Sequence, residues 1–228
     1  MDNYCHRLWV AVVASALWFG CEAPQTAAKS ERIMVTDSIE FAPTIAVEGE
    51  HLVLRYEVHN RGSRDLYLLN RLYRTTPTWT MDANVIYVHL DPSNRVVALK
   101  KRVPDIPSHV DPTAPVAPFV SPVRAGSTFR ETVRVPLPVR DYREYGSRAG
   151  GPSLAALRAS PVRVTYRAVT FELGYYWRGT GMAEEVREIH GAEVVVPINP
   201  PGAGSPEFGE LRSDLVELAV PVDEYREP

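Results

Sequence analysis

Hydrophobic and polar residues alternate along much of residues 38–220. In His51–Val58, Leu52, Leu54, Tyr56 and Val58 share one parity, and His51, Val53, Arg55 and Glu57 share the other. Successive strand side chains point to opposite faces, so this stretch predicts a half-buried strand. The Asn60-Arg61-Gly62-Ser63 cluster predicts a turn. Extended chain resumes from Asp65 to Leu69, so a hairpin is expected there. Val85–Leu90 and Arg95–Lys100 flank Asp91-Pro92-Ser93-Asn94 and predict a second hairpin. Proline at the second turn position already holds the φ that a type I turn needs. Further strands are expected over 127–135, 162–177, 193–196 and 215–220. In the first of these, Phe129, Glu131, Val133 and Val135 share a face. The run 162–177 is long enough to bend, and Gly174 is the expected bulge. Ser153–Arg158, opened by Gly150-Gly151-Pro152, is the one stretch that reads as a short helix.

Prolines at 104, 107, 112, 115, 118 and 122 argue against a central strand over 103–122, because proline removes a ladder donor. That stretch is expected to be a long irregular excursion or an edge segment. Short strands joined by turns, with no helical crossovers, imply antiparallel pairing and an all-β fold. An immunoglobulin-like β-sandwich with a long proline-rich loop is the expected architecture, and a β-barrel is the alternative.

The first 21 residues are of a different kind. His6 and Arg7 precede an apolar run from Leu8 to Phe19, followed by Gly20 and Cys21. The run has the length and order of a secretory signal and falls short of a spanning helix. Both cysteines, Cys5 and Cys21, lie in this segment. The rest of the chain therefore offers no disulfide, cysteine nucleophile or thiolate metal site. The sequence divides into a signal over 1–20, a polar tether over 21–37 and a single β-sandwich over 38–228.

The segment Leu17-Trp18-Phe19-Gly20-Cys21 resembles a bacterial lipoprotein lipobox. That resemblance implies cleavage before Cys21 and acylation of its sulfur. Glu22 follows the cysteine, which implies delivery to the outer membrane, facing the periplasm. A plain secretory signal cut near Ala28 is the alternative. The expected partners are the membrane, through the anchor, and an envelope protein or polymer. The order of strand, Asn60–Ser63, strand, Tyr87–Val96 and Val123–Ser127 resembles small bacterial immunoglobulin-like domains, including the intracellular proteinase-inhibitor type. The resemblance spans residues 45–135, rests on turn chemistry, and implies the sandwich fold.

The chain has 228 residues and a net charge of −3, with 45% hydrophobic and 23% charged residues. It can bury a core, and it shows no electrostatic footprint for nucleic acid. Arginine outnumbers lysine 22 to 3. The arginines are spread along the whole chain, which fits codon usage better than an arginine-lined site. The sequence has no Gly-x-Ser-x-Gly elbow, His-Glu-x-x-His, P-loop or dinucleotide fingerprint. No catalytic residue and no cofactor is assigned, and the expected role is a non-enzymatic binding or structural module. A proteinase-inhibitor-like or chaperone-like module and a metal-assisted enzyme are the alternatives.

Two His-x-Asp pairs, His89/Asp91 and His109/Asp111, are the candidate metal ligands, though each Asp precedes a proline and suits a turn. Glu184, Glu185, Glu188, His190 and Glu193 form an acidic cluster expected on a solvated edge. Tyr175, Tyr176 and Trp177 cannot all face one way, so one ring is expected at the surface. With Arg178 they form the first candidate binding surface. Trp79 is the second, and Tyr142-Arg143-Glu144-Tyr145 is the third.

Overall fold

The computed structural model describes residues 33–36, 38–74, 78–109, 111, 117–145, 151–158 and 160–225. The expected signal, Cys21 and most of the tether lie outside these. The described residues form two packed sheets, mostly antiparallel, and neither closes on itself among them.

The smaller sheet runs β1-β2-β3-β8. Its strands are β1 (Ile33–Thr36), β2 (Ile39–Glu48), β3 (His51–Asn60) and β8 (Thr128–Pro136). β1 falls at the end of the expected tether and pairs with β2 instead. The apolar Ile33-Met34-Val35 suits an extended, sheet-paired backbone.

The larger sheet is organised on β10 (Val162–Trp177), the long strand seen in the sequence. One edge of β10 pairs with β14 (Val216–Glu224) and then β13 (Glu207–Arg212), both antiparallel. The opposite edge pairs with β6 (Val96–Lys101), in parallel, and then β4 (Leu66–Arg71). β5 (Tyr87–Asp91) closes the expected hairpin with β6. Beyond β4 come β7 (Phe119–Val123), β12 (Ala192–Ile198) and β11 (Ala183–Ile189). β9 (Val139–Arg140) flanks β14. Helix α1 (Leu154–Arg158) matches the expected turn of helix, and the Ser153 hydroxyl caps it by accepting the Ala156 amide at 3.1 Å.

Three expectations change. The first hairpin does not form: β3 and β4 lie in different sheets, and residues 61–65 carry the chain across. Asn60, fully buried, braces that corner. Its amide donates to the Arg64 and Val123 carbonyls at 2.8 and 2.9 Å, and its oxygen accepts the Gly62 amide at 2.9 Å. The bulge of β10 lies between Tyr166 and Ala168, not at Gly174. Gly174 serves close approach instead, since a Cβ there would lie 2.8 Å from Arg102 Cβ. The proline-rich stretch also ends in a strand, β7, with Pro122 opposite Tyr67. β12 meets β7 only at Val195 opposite Val120, so no strand lies beside Pro122 on its far edge to demand the missing donor.

The core lies between the sheets. Phe171 of β10 meets Tyr56 at 5.0 Å and Phe41 at 5.9 Å, across the sandwich. Ion-paired residues such as Arg55–Glu48 and Arg130–Glu57 cover the outer face of the smaller sheet.

A polar cluster is buried within this apolar interior. Lys101 is fully buried. Its ammonium donates to Glu131 at 2.5 Å and to the Ala83 carbonyl at 2.8 Å. The same Glu131 carboxylate accepts the Tyr56 hydroxyl at 2.5 Å and the Asn70 amide at 3.3 Å. Burial drives the Lys101 value down against the pull of Glu131 and drives the Tyr56 phenol up. Glu131 and Tyr56 belong to the smaller sheet, and Lys101 and Asn70 to the larger, so the cluster pins one sheet to the other.

Breaking such a pair from one side strands a charge in a low-dielectric interior. Glu131→Ala is expected to cost about 3–5 kcal/mol by urea unfolding, and Lys101→Met with Glu131→Leu is expected to recover most of it.

Candidate functional site

The first candidate surface is absorbed into the fold. Tyr175 points into the main core and Tyr176 packs on the opposite face with Tyr67, Leu69, Val120 and Met182. Alternation holds as expected, but both faces of β10 are covered at this point. The smaller sheet covers one. The chain after Trp177 folds back over the other, where Arg178 donates to the Met182 carbonyl at 2.9 Å. Trp177 is half-buried, edge-on to Tyr175, with the Arg64 guanidinium 5.5 Å from its ring. The exposed ring here is Phe208 of β13, 66% accessible and 5.4 Å from Tyr176. It lies on a strand that the sequence pattern did not mark.

The acidic cluster is partly ion-paired. Glu184 accepts both Arg124 nitrogens at 2.7 and 2.8 Å, as well as the Tyr67 hydroxyl. The Arg124 hydrogen bonds, against burial, hold the Glu184 carboxyl below its usual range. Arg124 and Arg178 also reach Asp65. The metal candidates do not converge. Both carboxylate oxygens of Asp91 are spent on its own turn, by the Ser93 and Asn94 amides and the Asn94 side chain. His109 and Asp111 are exposed. Among the described residues, no group of three His, Cys, Asp or Glu could hold a metal ion.

Trp79 lies at a different kind of surface. It stacks on Tyr73 at 6.1 Å with planes 21° apart, and on His190 at 4.7 Å. Tyr73 in turn meets Phe119 at 5.6 Å. The three aromatic side chains are half-buried and the imidazole is exposed. They come from the segment after β4, the start of β7 and the tip of the β11–β12 ribbon. Reciprocal hydrogen bonds between Arg74 and Thr80, 2.8 and 2.9 Å, hold the first segment in place. The ribbon turns through His190 and Gly191, both at positive φ, which gives the tight two-residue turn that presents the imidazole.

Tyr73 links this arc to the third candidate. Glu144 and Tyr145 lie within electrostatic reach of its hydroxyl. A cleft of about 350 Å³ opens beside them, lined by His89, Pro104, Asp105, Pro107, Arg143, Glu144 and Tyr145. Arg143 is held by Asp141 at 3.0 Å, and Asp141 also accepts the Leu90 amide at 2.9 Å. Asp105 is held by Arg102 at 2.5 Å. Burial raises the Glu144 carboxyl. The Tyr145 and Tyr87 hydroxyls are buried without a hydrogen bond, although Tyr87 leans toward Glu144. Burial, then Lys100 and Arg143, lower His89 to about 4, so its imidazole is neutral at pH 7.

Sequence reasoning named Trp79, Glu144 and Tyr145 but could not join them. Phe119 and His190 meet Trp79 and Tyr73 only through the topology of β7 and the ribbon. No protein-family model, curated protein or solved structure matches this chain. The fold is a two-sheet all-β sandwich without obvious catalytic machinery among the described residues.

A histidine held neutral in the fold refuses a proton that the unfolded chain accepts. Its contribution to stability is complete above the unfolded value of 6.5 and is lost as pH falls from there toward about 4. The melting temperature is expected to fall across that window, and less steeply in His89→Asn, as followed by circular dichroism.

Proposed function

We propose that the chain is a lipid-anchored, non-enzymatic binding module of the bacterial cell envelope, displayed at the outer membrane and facing the periplasm. The observation that carries the binding role is the arc Phe119–Tyr73–Trp79–His190, three half-buried rings ending in an exposed imidazole. Large rings with one wet face give contact area at low conformational cost and are favoured anchors in recognition surfaces. The strand order supports an immunoglobulin-like sandwich. β2, β3 and β8 neighbour one another in one sheet, while β4, β10 and β14 do so in the other, with chain crossings between them. No helix among the described residues is long and apolar enough to cross a membrane. The lipobox-like Leu17–Cys21 supports attachment at Cys21, through acyl chains on a cysteine that would become the first residue. The partner is an envelope protein or polymer.

Two measurements test this. Intact mass of the protein from the membrane fraction is expected to show a chain beginning at Cys21 with acyl mass, absent from Cys21→Ser. An unmodified chain cut near Ala28 would overturn the anchor. A photo-crosslinking residue in place of Trp79 is expected to give an envelope adduct, while the same residue in place of Arg55, on the ion-paired outer face, is expected to give none. Equal labelling at both positions would overturn the arc as the binding surface.

A further inference from the structure

We infer that the cleft beside the aromatic arc is a subsite for a single organic ammonium group, with Glu144 as its counter-ion. The inference rests on reading this end of the molecule as a binding surface, and it adds the chemistry of what is bound.

The charges around the cleft nearly cancel. Arg143 is neutralised by Asp141, at 3.0 Å, and Arg102 by Asp105, at 2.5 Å. Lys100 and Glu172 pair at 3.1 Å, and Arg212 and Glu210 at 2.5 Å. Glu144 forms no ion pair among the described residues, which leaves one negative charge against a cleft wall. Its raised carboxyl value is the mark of a charge that is desolvated and not compensated. A monocation is therefore the complement of Glu144, and Arg143, the guanidinium that lines the cleft, is already paired with Asp141.

The hydrogen-bonding groups point the same way. The cleft holds a carboxylate, a neutral imidazole that can accept at one nitrogen, and the Tyr145 hydroxyl. The Tyr145 hydroxyl is buried with no hydrogen-bond partner. A buried polar atom left unpaired is costly, and a ligand that pairs it recovers that cost. An ammonium brings three donors to such a set of acceptors. The carbon chain behind it has the apolar rings of Pro104 and Pro107 to lie on.

The test uses the full-length protein and follows the His89 imidazole by NMR during titration with n-butylammonium chloride. Sodium butyrate serves as the matched anion. A saturable shift with the amine and none with butyrate is expected. Glu144→Gln is expected to weaken the amine about tenfold or more, the worth of one charge-assisted hydrogen bond. Tyr145→Phe, which removes only a hydroxyl, is expected to weaken it less. Nα-acetyl-lysine amide and glucosamine then separate a lysine side chain from an amino sugar as the source of the group. Butyrate binding, no shift with either ion, or unchanged affinity in a folded Glu144→Gln protein would each overturn the subsite. Trp79→Ala is expected to leave amine binding intact. Loss of crosslinking at position 79 with retained amine binding would therefore count against the arc alone, and the reverse against the subsite alone.

Discussion

The constraint on which the fold depends is the double pairing of β10. This strand offers hydrogen bonds along both edges and side chains to two covered faces. β14 and β13 share one edge, and β6 and β4 divide the other. Two chain segments thus lie end to end along each side of a single strand, which needs sixteen residues of length. The bulge at Arg167 adjusts one edge, and its spare amide is satisfied by the Arg95 carbonyl at 2.9 Å. Gly174 adjusts the crossing near Arg102. The smaller sheet packs on the result, and Phe171 at the middle of β10 carries the aromatic contact between the two.

The candidate site follows from the same geometry. Dividing one edge of β10 between β6 and β4 leaves the chain after β4 to reach β5, the hairpin partner of β6, through residues 72–74 and 78–86. Leu72, Val85 and Tyr87 anchor that segment in a small cluster of their own, with Tyr142 against it. The Val88 and Tyr142 backbones exchange hydrogen bonds at 2.8 Å, which fixes the 142–145 stretch beside β5. Tyr73 and Glu144 come together because both segments are tied to this one corner.

Strands with strict alternation were legible in the sequence, and the faces of 51–58 and 127–135 are those observed. Turn chemistry located the loops but not the pairing across them. Asn60-Arg61-Gly62-Ser63 serves a crossing between sheets as readily as a hairpin. The difference lies in the Asn60 amide reaching the Val123 carbonyl, a contact 63 residues away. Proline counting misplaced β7, because a proline is harmless wherever the neighbouring strand is missing. The Tyr175–Trp177 reading assumed one wet face of the strand. The structure buries Tyr175 and Tyr176 and leaves Trp177 half-buried, because the chain after Trp177 returns over that face with nothing local to announce it. The arc was half legible: Trp79 stood out, while His190 was read only as one member of an acidic cluster.

The β11–β12 ribbon behaves as a beam clamped at its two ends by different forces. At its root Arg124 grips Glu184, and at its tip His190 lies on Trp79. Between them it touches the rest of the sheet in register at one residue of β7. Added salt screens the accessible guanidinium–carboxylate grip and leaves ring stacking nearly untouched. Ionic strength therefore loosens the ribbon from its root while the imidazole keeps its seat on the indole.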